Sequence, residues 1–500
     1  MSMKKYHIFW ILIDSARNYE SNEDDRGLPS SVSEFSKESI FFKNTVTSAP
    51  STIQSISSMM TSVPSFYLSR SYNNYVGISD SFDYFPHVLK NNGYNLYGAI
   101  YFKHGREIMT DLFGTLNKRL YPKGLSHRKE VWNNLDIYNV FRKIMDSNDW
   151  NVPTMSYLHY NVRVDTNISD IISQTINSID KKGLMDDSII IINSDHGYPS
   201  KIRKWDADDA KRRGWGHDEL MYNDSLLTPL IIKYPNCQSK TIENFVATVD
   251  IVPSISHILN LPISKKYTGI NLFDPKLDLD NRLIRSDNRY ISQLPSKTSF
   301  IYNNKKCIIN NNKTGESTYE YYNLTNDESE KNNLGFNDDF KSLQIKIDEN
   351  IEEYNLFHEK LLLDKWKSIH NKSINSILII VDSSPAFNDI IRSICLKLYP
   401  DAKISILKDN YDENKFDLVL FIIDSELPWS CNKKLKFLKR IKYKKIIYLD
   451  DNGNIYYHLI KFNLYSNFIK KRLVFLKTDK LYLFDLLKRL FFKKILKPIK

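Results

Sequence analysis

His7-Ile8-Phe9-Trp10-Ile11-Leu12-Ile13 runs without a break into Asp14-Ser15-Ala16-Arg17. Lys4 and Lys5 precede the run, which gives it the outline of a secretory leader. It is too short for the apolar region of such a leader, and no small-residue cleavage site follows it. A continuous apolar run of this length, closed by a carboxylate, reads instead as a strand buried on both faces. A strand of that kind needs helices above and below its sheet. In such sheets the chemistry gathers beyond the C-terminal ends of the strands, where Asp14 falls.

Similar runs recur downstream: Leu96–Tyr101, Thr154–Tyr160, Ser188–Asn193 and Pro229–Tyr234 read as strands, with Ile168–Lys181 and Ile251–Leu259 as helices between them. The pattern predicts an α/β unit over residues 1–280. From 281 to 338 it changes to short β-like stretches, Thr298–Tyr302, Lys306–Asn310 and Tyr319–Asn323, separated by Asn- and Lys-rich turns, which predicts a small antiparallel subdomain of the same unit. A charged helical connector follows over 339–373, within which Phe340–Asp364 carries the pattern. A fresh alternation over 374–500 predicts a small Rossmann-like C-terminal domain with a basic tail. Its strands are Ile377–Val381, Lys403–Leu407, Asp417–Ile423 and Lys445–Leu449, with helices at Phe387–Leu398 and Lys433–Ile441. Its first turn reads Asp382-Ser383-Ser384-Pro385, without the glycines that cradle a dinucleotide.

The formal net charge of +11 is concentrated in the last stretch, from Lys471 to Lys500, where only Asp479 and Asp485 oppose it. It is a property of the tail, and no nucleic-acid-binding motif accompanies it. The tail from Leu481 to Ile495 mixes Leu and Phe with Lys and Arg, a composition suited to an anionic membrane surface and equally to a core-packed final helix. Cys237, Cys307, Cys395 and Cys431 are too scattered for a metal site or a disulfide framework. A reducing, cytoplasmic setting is expected, with the tail as a peripheral contact to the inner face of the membrane.

Four segments carry chemistry: Asp14-Ser15-Ala16-Arg17; Ala49-Pro50-Ser51-Thr52-Ile53-Gln54-Ser55; Ser194-Asp195-His196-Gly197; and Gly216-His217-Asp218. Together they offer carboxylates, imidazoles and a hydroxyl, the oxygen and nitrogen donors that a hard or borderline divalent cation takes. A threonine hydroxyl is a poor nucleophile until a cation lowers its pKa, and a positioned histidine protonates a leaving oxygen. Each segment alone has a plainer reading: a helix cap for Asp14 or Thr52, a loop pair for Asp195-His196, a satisfied structural histidine for His159.

In order and spacing these segments resemble the sulfatase family of the alkaline phosphatase superfamily. The resemblance runs from Lys4 to Leu334. Asp14-Ser15-Ala16-Arg17 is similar to the family's Asp-Ser-Leu-Arg, and the segment beginning at Thr52 lies in the register of its nucleophile. Ser194–Gly197 matches its Ser-Asp-His-Gly, and Gly216-His217 precedes a Pro-Leu-Ile-Ile strand at Pro229–Ile232. Val249-Asp250-Ile251-Val252-Pro253 resembles a further family segment, and Tyr322 through Leu334 resembles its Tyr-Asp-Leu…Asp-Pro-x-Glu…Asn-Leu signature. The resemblance implies an alkaline-phosphatase-like α/β/α sandwich. It implies that Asp14, Thr52, Asp195 and His196 bind one divalent metal, with Mn or Mg favoured and Zn or Ca as alternatives. Thr52 is implied as nucleophile, His217 as general acid, and His159 and Arg17 as substrate contacts.

The departures from the family pattern point to the reaction. Sulfatases convert a Cys or Ser to formylglycine in a motif with Pro and Arg; here the residue is Thr52, with Gln54 and Ile56 at those positions. Threonine cannot form that aldehyde, whereas it suits a phospho-Thr intermediate, as in relatives that move phosphoglycerol or phosphoethanolamine groups. The second acid expected near Tyr19 and the histidine expected near Val164-Asp165 are absent, so one metal is expected. The expected activity is cleavage or transfer of a phosphate-type ester on a glycan, a lipid head group or a similar anionic substrate. The alternatives are a sulfuric ester hydrolase with an atypical nucleophile and a non-catalytic binding protein that keeps the fold.

Overall fold

The computed structural model describes residues 5–18, 27–65, 82–100, 118–119, 133–162, 167–199, 220–288, 297–311, 317–367, 374–380, 385–406, 415–423, 442–450 and 455–456. His217, the Asp382–Ser384 turn, the expected helix at Lys433–Ile441 and the basic tail lie outside these residues.

The expected first strand is β1, His7–Asp14, and every residue of it is buried. Strand alternation sends its side chains to two cores. Ile8, Trp10 and Leu12 pack with the helices Thr52–Thr61, Phe85–Asn91 and Ile251–Ile258. Phe9, Ile11 and Ile13 pack with the helices Ser30–Ser36, Asn134–Ser147 and Ile168–Lys181. A two-sided apolar strand is therefore the sequence-level image of the middle layer of a three-layer sandwich.

Eight strands form that layer. After β1 come β2 (Ile40–Val46), β3 (Asn95–Ile100), β4 (Lys118–Arg119), β5 (Thr154–Asn161), β6 (Ser188–Asn193), β7 (Leu227–Lys233) and β8 (Lys240–Ala247), in the spatial order β4-β3-β5-β1-β6-β7-β2-β8. β1 is parallel to β5 and β6, with Asp14 opposite Asn161 and Leu12 opposite Asn193. β7 is antiparallel to β6 and β2 is antiparallel to β7, so β2 runs the same way as β6. The ends of β1, β2, β5 and β6 thus share one edge of the sheet. The reading from the residues did not mark β2 or β8. β8 is an edge strand with its first residues exposed, and a half-wet edge lacks the unbroken apolar run of a central strand.

Four antiparallel strands, β9 (Ile284–Asn288), β10 (Lys297–Tyr302), β11 (Lys305–Asn311) and β12 (Ser317–Asn323), make a second sheet in the order β12-β11-β10-β9. One face of it shares an apolar cluster with Val46, Leu226 and Ala247 of the catalytic sheet's surroundings. The other face holds Phe300, Cys307 and Tyr321 against Phe340, Leu343 and Ile347, the last two from the long helix Lys341–Lys367. β13 (Ser376–Ile380), β14 (Lys403–Ile406), β15 (Lys415–Ile423), β16 (Lys442–Asp450) and β17 (Ile455–Tyr456) form a third sheet in the order β14-β13-β15-β16-β17, parallel except for β17. Among the described residues no helix is long and apolar enough to cross a membrane.

Candidate active site

Asp14 closes β1, and Ser15 then takes a left-handed backbone with φ of 68°. Few non-glycine residues adopt that region without a local reason. Here Ser15 Oγ donates to Asp14 Oδ1 at 2.7 Å, and the Ser15 N–H donates to Asp195 Oδ1 at 3.1 Å. Ala16 N–H donates to Ser194 Oγ at 3.0 Å. The turn after β1 is thereby fastened to the turn after β6. From β5, Asn161 Nδ2 donates to Asp14 Oδ2 at 3.1 Å. Asn161 is itself held by a reciprocal pair of bonds between its backbone and the Asn134 side chain, each 2.8 Å.

Thr52 is the first residue of the helix Thr52–Thr61, preceded by an extended Ser51. Its position at a helix N-terminus favours an anion close by. Ser55, one turn on, donates through Oγ to the Asp195 carbonyl at 2.5 Å, so the helix start and the Asp195 turn move as one. Thr52 Oγ1 lies 3.1 Å from His196 Nε2, while His196 Nδ1 lies 2.7 Å from the Gly197 carbonyl oxygen. A carbonyl only accepts, so Nδ1 carries a hydrogen, and in a neutral ring Nε2 is then the lone-pair nitrogen. With the ring neutral, Thr52 O–H donates to Nε2, the same nitrogen that is placed to ligate a cation.

Around this pair the remaining groups converge. His196 Nε2 is 3.5 Å from Asp195 Oδ2 and 3.9 Å from Asp14 Oδ1, and His159 Nε2 is 3.6 Å from Asp14 Oδ2. Ligand atoms of Asp14, His159 and Asp195 all lie within 4.8 Å of one another. Asp195 Oδ2 and His159 Nε2 are buried and make no hydrogen bond. Two buried carboxylates facing each other, with an imidazole nitrogen left over, are costly by themselves and are satisfied by a divalent cation. The residues thus fit a metal. Tyr157 OH lies 3.4 Å from His159 Nδ1. Burial, and then the Asp195 and Asp14 carboxylates, push the Tyr157 hydroxyl well above its ordinary range, so it stays protonated.

A second tier holds the Asp195 turn. Gly197 N–H donates to Ser225 O at 2.9 Å, and a Cβ on Gly197 would sit 2.3 Å from the Asp224 carbonyl oxygen, so only glycine fits. Ser225 belongs to the short helix Asn223–Leu226, whose Leu226 carbonyl also accepts from Thr47 N–H at 2.9 Å. That helix is pinned from the antiparallel sheet. Glu330 accepts from Asn223 N–H at 2.6 Å and pairs with Lys306 at 2.6 Å, and Lys306 Nζ donates to Asn223 Oδ1 at 2.8 Å. Both charged side chains are fully buried. Burial raises the Glu330 carboxyl above its ordinary range, against the opposing pull of Lys306.

The structure brings Asp14, Thr52, Asp195, His196 and His159 to one point, and Arg17 is buried three residues after Asp14. His159, expected toward the substrate, sits against the two carboxylates. Sequence reasoning missed Asn161, although strand alternation puts it on the same face as His159. It also missed Ser15, Ser55 and the Lys306–Glu330 pair, which no local pattern announces.

Three comparisons bear on this geometry. The family model described as Sulfatase matches residues 6–161 and 136–261, which together span just over half of the chain. No curated protein sequence matches. Among solved structures, a putative sulfatase from Bacteroides thetaiotaomicron aligns with a TM-score of 0.55 at 12% identity, covering 74% of this chain and 95% of that one. A protein solved with its substrate D-glucosamine-2-N,6-O-disulfate aligns with a TM-score of 0.54 at 13% identity over 71% of this chain and 98% of its own. The phosphonate monoester hydrolase of Agrobacterium radiobacter aligns with a TM-score of 0.51 at 13% identity over 71% and 96%. With the sandwich, the carboxylate–histidine cluster and the family match in agreement, this chain belongs to the sulfatase family and is a hydrolase-type enzyme of the alkaline phosphatase superfamily.

Proposed function

We propose that the protein cleaves or transfers a phosphate-type ester, with Thr52 as nucleophile and one divalent cation held by Asp14, Asp195, His196 and Thr52. His159 Nε2 reaches the same cluster, and we assign it to the ion as well. The observation that carries the reading is the Thr52 hydroxyl, which sits at a helix N-terminus with Oγ1 3.1 Å from His196 Nε2 inside a buried carboxylate cluster. A divalent ion held by these residues, Mn or Mg by the donor set, would supply the positive charge that acidifies the Thr52 hydroxyl and offsets charge on the phosphoryl oxygens. Thr52 Oγ1 releases its proton to solvent and attacks phosphorus, the ester P–O bond breaks, and the leaving oxygen takes a proton, for which His217 is the proposed donor; His217 regains it from the water or hydroxyl that attacks next. Water or an acceptor hydroxyl then attacks the phospho-Thr52, and the Thr52 oxygen departs. In this reading the unit over 1–280, completed by the subdomain over 281–338, carries the whole reaction.

The alignment with a protein that binds a sulfated sugar favours a second reading, sulfate ester hydrolysis with an unmodified threonine. Nitrophenyl phosphate monoester, phosphate diester, phosphonate ester and sulfate ester separate the two. Assayed with Mn²⁺ or with chelator, the enzyme is expected to turn over a phosphorus ester only with the metal, and Thr52→Ala is expected to abolish it. Turnover of the sulfate ester alone supports the second reading, and equal activity in Thr52→Ala refutes the mechanism.

A further inference from the structure

β9 lies at the edge of the antiparallel sheet that meets the catalytic sheet. Along it, Ile284, Ser286 and Asn288 share one face. Ile284 packs in one cluster with Val46 and Ala247. Ser286 Oγ donates to the Thr47 carbonyl at 2.6 Å, and Asp287 N–H donates to the Ser48 carbonyl at 2.9 Å. The two segments therefore advance side by side, and the second of them leads to Thr52. The next residue on this face is Asn288, one position beyond the Asp287–Ser48 bond, and three residues beyond Ser48 the other segment reaches Ser51.

Asn288 is 1% exposed, and neither its Oδ1 nor its Nδ2 makes a hydrogen bond. Ser51 is 2% exposed, and its Oγ makes none either. Asp287, one residue earlier, shows what a structural polar group looks like here: Arg285 and Thr298 satisfy both of its oxygens. A buried amide with no partner costs the fold free energy and contributes nothing to it. Such a group, next to the segment that delivers the nucleophile, points to a partner that arrives with the substrate.

We propose that Asn288, with Ser51, is a specificity-determining site for a hydroxyl-bearing group, glycerol or a sugar, attached to the phosphoryl group that Thr52 receives. The proposal rests on the Thr52 reading above. The argument for a hydroxyl is the amide's double character. A phosphoryl oxygen only accepts and leaves Oδ1 unused, and an ammonium head group only donates and leaves Nδ2 unused. A hydroxyl gives and takes, and a vicinal diol serves both ends of one amide.

The test is calorimetric binding, in Mn²⁺, of propyl phosphate, glycerol 1-phosphate and glucose 6-phosphate to the wild-type protein and to Asn288→Leu. The wild type is expected to bind at least one hydroxylated ligand about tenfold more tightly than propyl phosphate. Glycerol and glucose as separate arms identify which source the site prefers. Asn288→Leu is expected to lose that preference while its ligand-free melting temperature stays level or rises; Asn288→Ala replaces it if the leucine does not fold. Equal binding of all three ligands to the wild type, or a preference retained in the variant, overturns the assignment and leaves the Thr52 reading standing. Failure of every ligand to bind in Mn²⁺ overturns both.

Discussion

Lys306→Met removes the cation from a buried pair and leaves Glu330 alone in the interior. The partners are 2.6 Å apart and almost wholly excluded from solvent, and Glu330 also holds the Asn223 N–H. Breaking such a pair from one side costs about 3–5 kcal/mol, because the remaining charge keeps its desolvation penalty. The cost also has a pH signature. Glu330 already has a raised carboxyl in the folded protein, from burial first, and losing Lys306 raises it further. The folded state then binds the Glu330 proton more tightly than the unfolded chain does. Its contribution is therefore most favourable below the unfolded value and is lost as pH rises through the folded one. Urea unfolding of the variant, followed by circular dichroism, should show the full loss at neutral pH and a smaller one as pH falls toward 5. The double change Lys306→Met/Glu330→Gln should recover most of the loss at neutral pH. A Lys306→Met penalty under about 1 kcal/mol, or one that does not vary with pH, would refute the account of the pair as a buried charge held by its partner.

Three further outcomes are expected. Asp195→Asn should raise the melting temperature of chelator-treated protein, by relieving the facing carboxylates, while Mn²⁺ affinity measured by calorimetry falls at least a hundredfold; unchanged affinity would remove Asp195 from the ligand set. Gly197→Ala forces a methyl into the Asp224 carbonyl and should cost about 1–3 kcal/mol, with metal affinity reduced along with it. A variant as stable as the parent in thermal melts would contradict the packing. Tyr157→Phe takes the hydroxyl from His159 Nδ1 and should weaken Mn²⁺ binding about tenfold with little change in melting temperature.

The catalytic layer was legible where burial is two-sided. β1, β5 and β6 announce themselves as apolar runs, and each ends at or beside a polar site residue. β9 was not legible, because Ile284-Arg285-Ser286-Asp287-Asn288 has the composition of a turn and becomes a strand only through its pairing with β10. At the site, Asp14, Thr52, Asp195 and His196 could be picked out because the family register fixes their order along the chain. The groups that orient them are invisible to that register. Asn161 reaches Asp14 through the sheet's own register, and Glu330 reaches the Asp195 turn through Asn223 and Ser225, a relay that exists only in three dimensions. The placement of His159 beside the carboxylates has the same origin: sequence marks the strand end, and tertiary packing decides what the end faces.

β1 is made first and paired late. Its two neighbours begin at Thr154 and Ser188, so an unbroken apolar stretch leaves the ribosome long before either partner exists. High contact order of this kind slows folding and leaves a strand with two open hydrogen-bonding edges in the meantime. The nascent chain is therefore most prone to aggregation over His7–Ile13, and chaperone demand during synthesis should be set by the interval between that strand and β6.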